Sequence, residues 1–282
     1  MHKISDINFN IIIKYVNLLC PNKRKPKFTA IYYLTNILDM LTDFVSWKSL
    51  TKSNKLVGDK KYHYKTIADI HHMWCNKGVY KCAHEEITTK KVKAEIADED
   101  VFDILIDSTL IANKNGAENI GYGGESKKKK FTKITAITTV SGNIVALHEH
   151  KTQTKVIPDK FKVNKILKIS THEHDTNAII PAVIKARTIE PTKAINVIGD
   201  KGYIINENKQ KELAKHNAIM IAAKRNNQKI KNTDSEKQKL KGRYKVENFF
   251  SKIKAYNRIQ IRRDRIFKNF MGFVYLATIY IA

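Results

Sequence analysis

The chain has 282 residues, 42% of them hydrophobic, enough to build one large packed domain or a small one beside a larger one. Its 52 lysines and arginines against 27 aspartates and glutamates leave a net charge of +25. That excess excludes an ordinary enzyme of small molecules and calls for a polyanionic partner, most simply nucleic acid.

Residues 1 to about 90 are predicted helical. IIIKYVNLL is an apolar segment closed by Cys20-Pro21, and KFTAIYYLTNILDMLTDFVSW has helical spacing. YHYKTIADIHHMWCNKGVY ends at Gly78, a residue suited to a left-handed cap. Short helices in a basic context predict a helix-turn-helix-like DNA-binding region over 1–90. Cys20, Cys75 and Cys82 make no disulfide framework and suit a reducing compartment, and we expect no signal peptide in MHKISDINFN. His71, His72, Cys75, Cys82 and His84 lack zinc-knuckle spacing, so helix-end histidines and a buried cysteine are expected instead.

After Asp98-Glu99-Asp100 the pattern changes, and a second domain is predicted over 98–282. VFDILIDSTLI is of strand type, FTKITAITTV alternates, and Ser141-Gly142-Asn143 is a turn leading into NIVALHEHK. A helix over 175–189, the buried strand INVIGD, the helix ENKQKELAKHN and the strand AIMIAAK follow. NNQKIKNTDSEKQKLKG is predicted to be a polar loop. Three leading strands followed by alternating helices and strands imply an α/β fold, a mixed sheet with helices on its faces. Gly121, Gly123 and Gly124 near Lys127–Lys130 lack the Gly-Lys-Ser/Thr of a P-loop and suggest a basic loop near DNA. Ser108 lacks a nucleophile-elbow setting. The terminal run Met271–Ala282 is too short to span a bilayer and is expected to be a buried helix.

KGRYKVENFFSKIK, Lys241 to Lys254, is predicted to be a helix with Arg243, Glu247 and Lys254 on one face beside an apolar stripe of Val246, Phe249, Phe250 and Ile253. From Lys201 to Lys268 there are 20 lysines and arginines and 6 acids, more than half the net charge. Asp107 ends the apolar run ILID and Asp200 ends INVIGD, and strand ends are where ligands gather in α/β folds. Asp103 shares the parity of Asp107 and competes for the first position. Two strand-end aspartates and a helical glutamate suit a site for two divalent ions that stabilise both oxygens of a phosphoryl transfer. Arg243 and Lys254 would contact phosphate, with Lys133, Lys201 and Arg258 as second-rank DNA contacts.

On these residues the chain resembles the bacterial insertion-sequence DDE transposases with a Y-x2-R-x3-E-x6-K signature. Arg243, Glu247 and Lys254 match R-x3-E-x6-K, Asp107 in LIDST matches the first aspartate segment, and Asp200 in GDKGY the second. GG…FTKI, the Gly142 turn, His174-Asp175, IQIRRDR and WCNKGVY also match, so the resemblance covers roughly residues 70–282. Leu240 stands at the signature's Tyr position, with Tyr244 nearby. The resemblance implies an RNase H-like catalytic domain with Asp107, Asp200 and Glu247 holding two Mg²⁺ or Mn²⁺ ions. It implies cleavage and strand transfer on double-stranded DNA, at inverted-repeat transposon ends and a target, by a homodimer on DNA. A nuclease of the same fold and a catalytically inactive, domesticated DNA-binding protein are the alternatives. The expected location is the nucleoid in a bacterial host, the nucleus or a viral factory otherwise, with no membrane partner.

Overall fold

The computed structural model describes residues 4–21, 29–43, 46–52, 63–122, 130–158, 166–225 and 231–282, with side chains left aside at 51–52, 154–158 and 166–170. Gly123, Gly124 and Lys127–Lys129 of the expected basic loop lie outside the described residues. The helices are α1 (Asp6–Leu19), α2 (Ala30–Thr42), α3 (Tyr64–Lys77), α4 (Val79–Glu95), α5 (Ile179–Ile189), α6 (Glu207–Ala214), α7 (Asp234–Lys241), α8 (Tyr244–Lys254), α9 (Asn257–Gln260) and α10 (Phe267–Ile281). The strands are β1 (Val101–Asn113), β2 (Gly121–Tyr122), β3 (Lys130–Thr139), β4 (Ile144–Glu149), β5 (Thr152–Pro158), β6 (Ile166–His172), β7 (Ala194–Gly199), β8 (Ala218–Ala222) and β9 (Ile261–Arg262). Two compact units result: 1–87, 113–118 and 252–282 form the first, and 88–112 with 119–251 the second.

In the first unit the helix ends obey local chemistry. Ser5 and Thr29 cap α1 and α2 by accepting from the backbone N–H three residues on, at 3.2 and 3.3 Å. Gly78, at φ 76°, closes α3 in the left-handed region as expected. The terminal apolar run is a buried helix, α10, and it packs on α2 and α3. Residues 252–282 thus group with the N-terminal helices, where a second domain was expected over 98–282. The reason is hydrophobic: α10 is buried on nearly every side and needs the apolar faces that α2 and α3 supply. Its Phe273 stacks on His71 at 4.2 Å between ring centres. Among the described residues no helix is long and apolar enough to cross a membrane.

The second unit is built on a sheet ordered β4-β3-β1-β7-β8, with β2 continuing the β4 edge of β3. β1 is antiparallel to β3 and parallel to β7, and β8 is parallel to β7. This is the mixed, helix-flanked α/β sheet expected. One face carries Phe102, Ile104, Ile106, Ile137 and Val197 against Ile179, Ala182, Val183 and Ala186 of α5. Each fully buried Ile or Val there contributes roughly 1.5–3 kcal/mol. The predicted turn between β3 and β4 is where Gly142 takes φ 91°. Glu95 braces it, accepting from Thr139 at 2.9 Å and Asn143 at 2.8 Å.

Two elements depart from the sequence reading. β5 and β6 form a separate antiparallel hairpin between β4 and α5. The polar stretch before Lys241 contains α7, and the helix expected from Lys241 breaks at Gly242-Arg243 before α8 begins at Tyr244.

Candidate functional site: carboxylates along β1 and β7

The parallel register of β1 and β7 pairs Ile104 with Val197 and Leu105 with Ile198. Two residues further along each strand are Asp107 and Asp200, which are therefore lateral neighbours on strands about 4.8 Å apart. Asp200 stays extended, with ψ −172°, as β7 ends. Because side chains alternate, both carboxylates leave the sheet on the face of Leu105 and Ile198, opposite the α5 core. That face is also reached by α7: Lys239 donates to Asp103, of the same parity, at 2.6 Å.

Asp107 is half-buried, and its pKa is raised to about 6. Burial is the main cause, opposed by the Ser108 N–H, which donates to Asp107 Oδ1 at 2.9 Å, and by the charge of Arg243. The charges of Asp200 and Glu247 push it further up. Asp107 thus lies within the fields of the other two expected carboxylates and of Arg243. Arg243 Nη2 approaches Glu247 Oε1 at 3.6 Å, and Glu247 is largely exposed. Asp200 Oδ1 accepts from Gly202 N at 2.7 Å. The stripe of Val246, Phe249, Phe250 and Ile253 is buried as expected.

Among the described residues the group of three whose ligand atoms all lie within 4.8 Å of one another is His148, His150 and Glu173; Asp107, Asp200 and Glu247 are not drawn together to that distance. The donors of these three carboxylates are all oxygens, the preference of Mg²⁺ or Mn²⁺. Asp103, the competitor for the first position, is paired to Lys239 and accepts from Asn196 Nδ2 at 2.6 Å.

The cations divide. Lys201 is exposed in the turn after Asp200. Lys254 is half-buried in the last turn of α8, about 10 Å along the axis from Glu247. Lys133, expected to touch DNA, is instead internal: its ammonium is paired with Asp175 at 2.8 Å and its side chain is 12% exposed. Arg258 is likewise a correction. It is 3% exposed, ion-paired with Asp264 at 2.7 Å, and its guanidinium lies 4.8 Å from the centre of the Phe273 ring. A planar, weakly hydrated cation between an acid and an aromatic face is a structural element of the helical unit, not a surface phosphate contact.

The sequence reading missed a polar relay behind Asp107. Tyr203 OH meets Ser108 Oγ at 2.8 Å, and Ser108 meets Thr135 Oγ1, which meets His150 Nε2. The tyrosine of GDKGY therefore touches the residue next to Asp107. The only sequence signal was the parity of Ser108 and Thr135 on facing strands.

No protein-family model and no curated protein matches the sequence. Among solved structures the chain is similar to a piggyBac transposase synaptic complex with hairpin DNA, at 13% identity and a TM-score of 0.37 over 82% of this chain. The chain spans about half of that transposase chain, 52%. It is also similar to a Mos1 transposase paired-end complex, at 10% identity and 0.26, covering 82% of this chain and 79% of the other. A pre-cleavage Mos1 transpososome aligns at 8% identity and 0.25, covering 92% and 79%.

Proposed function

We propose that this chain is a metal-dependent DNA strand-transferase of the DDE transposase type, with Asp107, Asp200 and Glu247 as its metal ligands. The observation that carries the reading is the field at Asp107: Asp200, Glu247 and Arg243 all act on a carboxyl that burial already pushes to about 6. Held by Asp107, Asp200 and Glu247, Mg²⁺ or Mn²⁺ would supply stabilisation of the attacking and leaving oxygens at a phosphodiester. The protein's own residues bind and orient. Above pH 6 Asp107 is ionised and ready to ligate. Arg243, held loosely by exposed Glu247, offers its planar fork to a phosphate of the strand being cut. Lys201 and Lys254 supply further point charges along the DNA, and the net charge of +25 draws the duplex in. Tyr244 is exposed at the start of α8, while Leu240 occupies the last turn of α7, so a strand-end contact by a tyrosine in this chain falls to Tyr244.

The test is Mg²⁺-dependent nicking and joining of a duplex carrying inverted-repeat ends from DNA flanking the coding sequence. Asp107→Asn, Asp200→Asn and Glu247→Gln are each expected to lower cleavage by at least a thousandfold while DNA binding persists, because ligands of one site act as a unit. Asp103→Asn is expected to keep cleavage. Nicking without joining makes the chain a nuclease of this fold. Binding without nicking makes it a DNA-binding protein, and full activity in any of the three variants removes that residue from the site.

A further inference from the structure

We propose that His148, His150 and Glu173 form a second metal site, built for a transition ion such as Zn²⁺, at the root of the β5–β6 hairpin. Among the described residues these three offer ligand atoms that all lie within 4.8 Å of one another. His148 is the next-to-last residue of β4, His150 follows the strand, and Glu173 follows β6, so one ion would clamp both ends of the hairpin. His148 Nε2 is 3.1 Å and His150 Nδ1 3.5 Å from Glu173 Oε1. With metal–nitrogen and metal–oxygen bonds of about 2.0–2.2 Å, the edges of a tetrahedral zinc site are about 3.3 Å, so two edges already have the right length.

The state of His150 points the same way. It is fully buried, and its Nε2 is engaged by the Thr135 hydroxyl. Its Nδ1 is buried without a hydrogen-bond partner and faces Glu173. The tautomer in which Nε2–H donates to the Thr135 hydroxyl presents a lone pair at Nδ1, the usual orientation of a ligating histidine. Glu173 is ionised, its pKa lowered despite partial burial by His148 and the Lys151 N–H. The nearby Lys133 ammonium is neutralised by Asp175 at 2.8 Å. Two imidazoles and one carboxylate favour Zn²⁺ or Co²⁺ over Mg²⁺, so this site differs in kind from the all-oxygen carboxylate set and does not depend on its function.

The experiment uses the full-length, tag-free, chelator-treated chain bearing Asp107→Asn, Asp200→Asn and Glu247→Gln, which removes those carboxylates, with Co²⁺ as the optical probe. We expect one equivalent of Co²⁺ to bind with a dissociation constant below about 10 µM, to give ligand-field bands of low coordination number, and to be displaced by Zn²⁺. Glu173→Gln and His148→Gln preserve shape and are expected to weaken binding at least tenfold and to abolish the rise in melting temperature with Zn²⁺. The unsubstituted chain in excess Mg²⁺, which occupies oxygen ligands and spares imidazole, gives the same readout should the triple variant fold poorly. Absence of the bands at saturating Co²⁺, or equal binding in both ligand variants, overturns the site.

Discussion

Burial gives the Asp107 carboxyl a proton affinity that the unfolded chain lacks, and stability depends on pH accordingly. The unfolded side chain ionises near pH 3.9, the folded one near 6. Below about pH 4 both states hold the proton and the group costs nothing. Between about pH 4 and 6 the unfolded chain has lost a proton that the native state still holds, so stability falls across that window and levels off above it. Asp107→Asn is therefore expected to stabilise the metal-free protein by about 1–2 kcal/mol at pH 8, a figure discounted for partial solvent exposure. Urea melts at pH 8 and pH 4 check this: the gain should shrink towards pH 4. Added Mg²⁺ should stabilise the parent chain and not the variant, since binding to the native state alone is what raises stability. A gain independent of pH would locate the effect in packing rather than charge. Asp200 was legible as a strand end because an apolar run stopping at an acid is a local pattern, whereas Asp107, expected to end a strand in the same way, lies mid-way along β1 and pairs with Ala136. That Asp103 is paired was illegible, because Lys239 and Asn196 lie far off in sequence.

At the scale of elements, α7 shows what a sequence announces without apolar periodicity. The helix has no buried residue, so no stripe marks it, yet Thr233-Asp234-Ser235-Glu236 spells a capping box. Both halves are made: Glu236 N donates to Thr233 Oγ1 at 3.2 Å, and Thr233 N to Glu236 Oε2 at 2.9 Å. Thr233→Ala is expected to cost about 1 kcal/mol and to speed amide exchange in α7 before the rest of the unit opens. Uniform exchange across the unit would show that tertiary contacts, not the cap, hold this helix. The β5 segment TQTKVIP and β6 segment ILKISTH were equally legible in their β-branched residues. The pairing of β1 with β7 was not, because β-register is fixed by residues that come together only in the sheet.

For the whole molecule, a net charge of +25 names the kind of partner and leaves open which cations meet it. Arg258 and Lys133 count in that sum while being tied up inside their units. Log affinity for duplex DNA should fall linearly with log salt, by about 0.9 for each phosphate contacted. Lys201→Ala and Lys254→Ala should each reduce that slope by about one contact, and Lys133→Ala should leave it unchanged. Titrations of a labelled duplex across a salt series decide, and a slope near zero would name a partner other than nucleic acid. The terminal helix makes the same point for packing. A run of twelve apolar residues says that α10 is buried, but only the fold says that it lies with α2 and α3 at the other end of the sequence.

The lateral pairing of Asp107 with Asp200 behaves as a parity code. One residue added to or removed from β1 or β7 upstream of its aspartate turns that carboxylate to the opposite face, into the α5 core. The long stretch between the two strands has no such grammar, and a whole hairpin, β5–β6, is accommodated there. Length variation in descendants of this chain should accordingly be plentiful between β4 and α5. Within the few residues that run from Val101 to Asp107 and from Ala194 to Asp200 it should be confined to none.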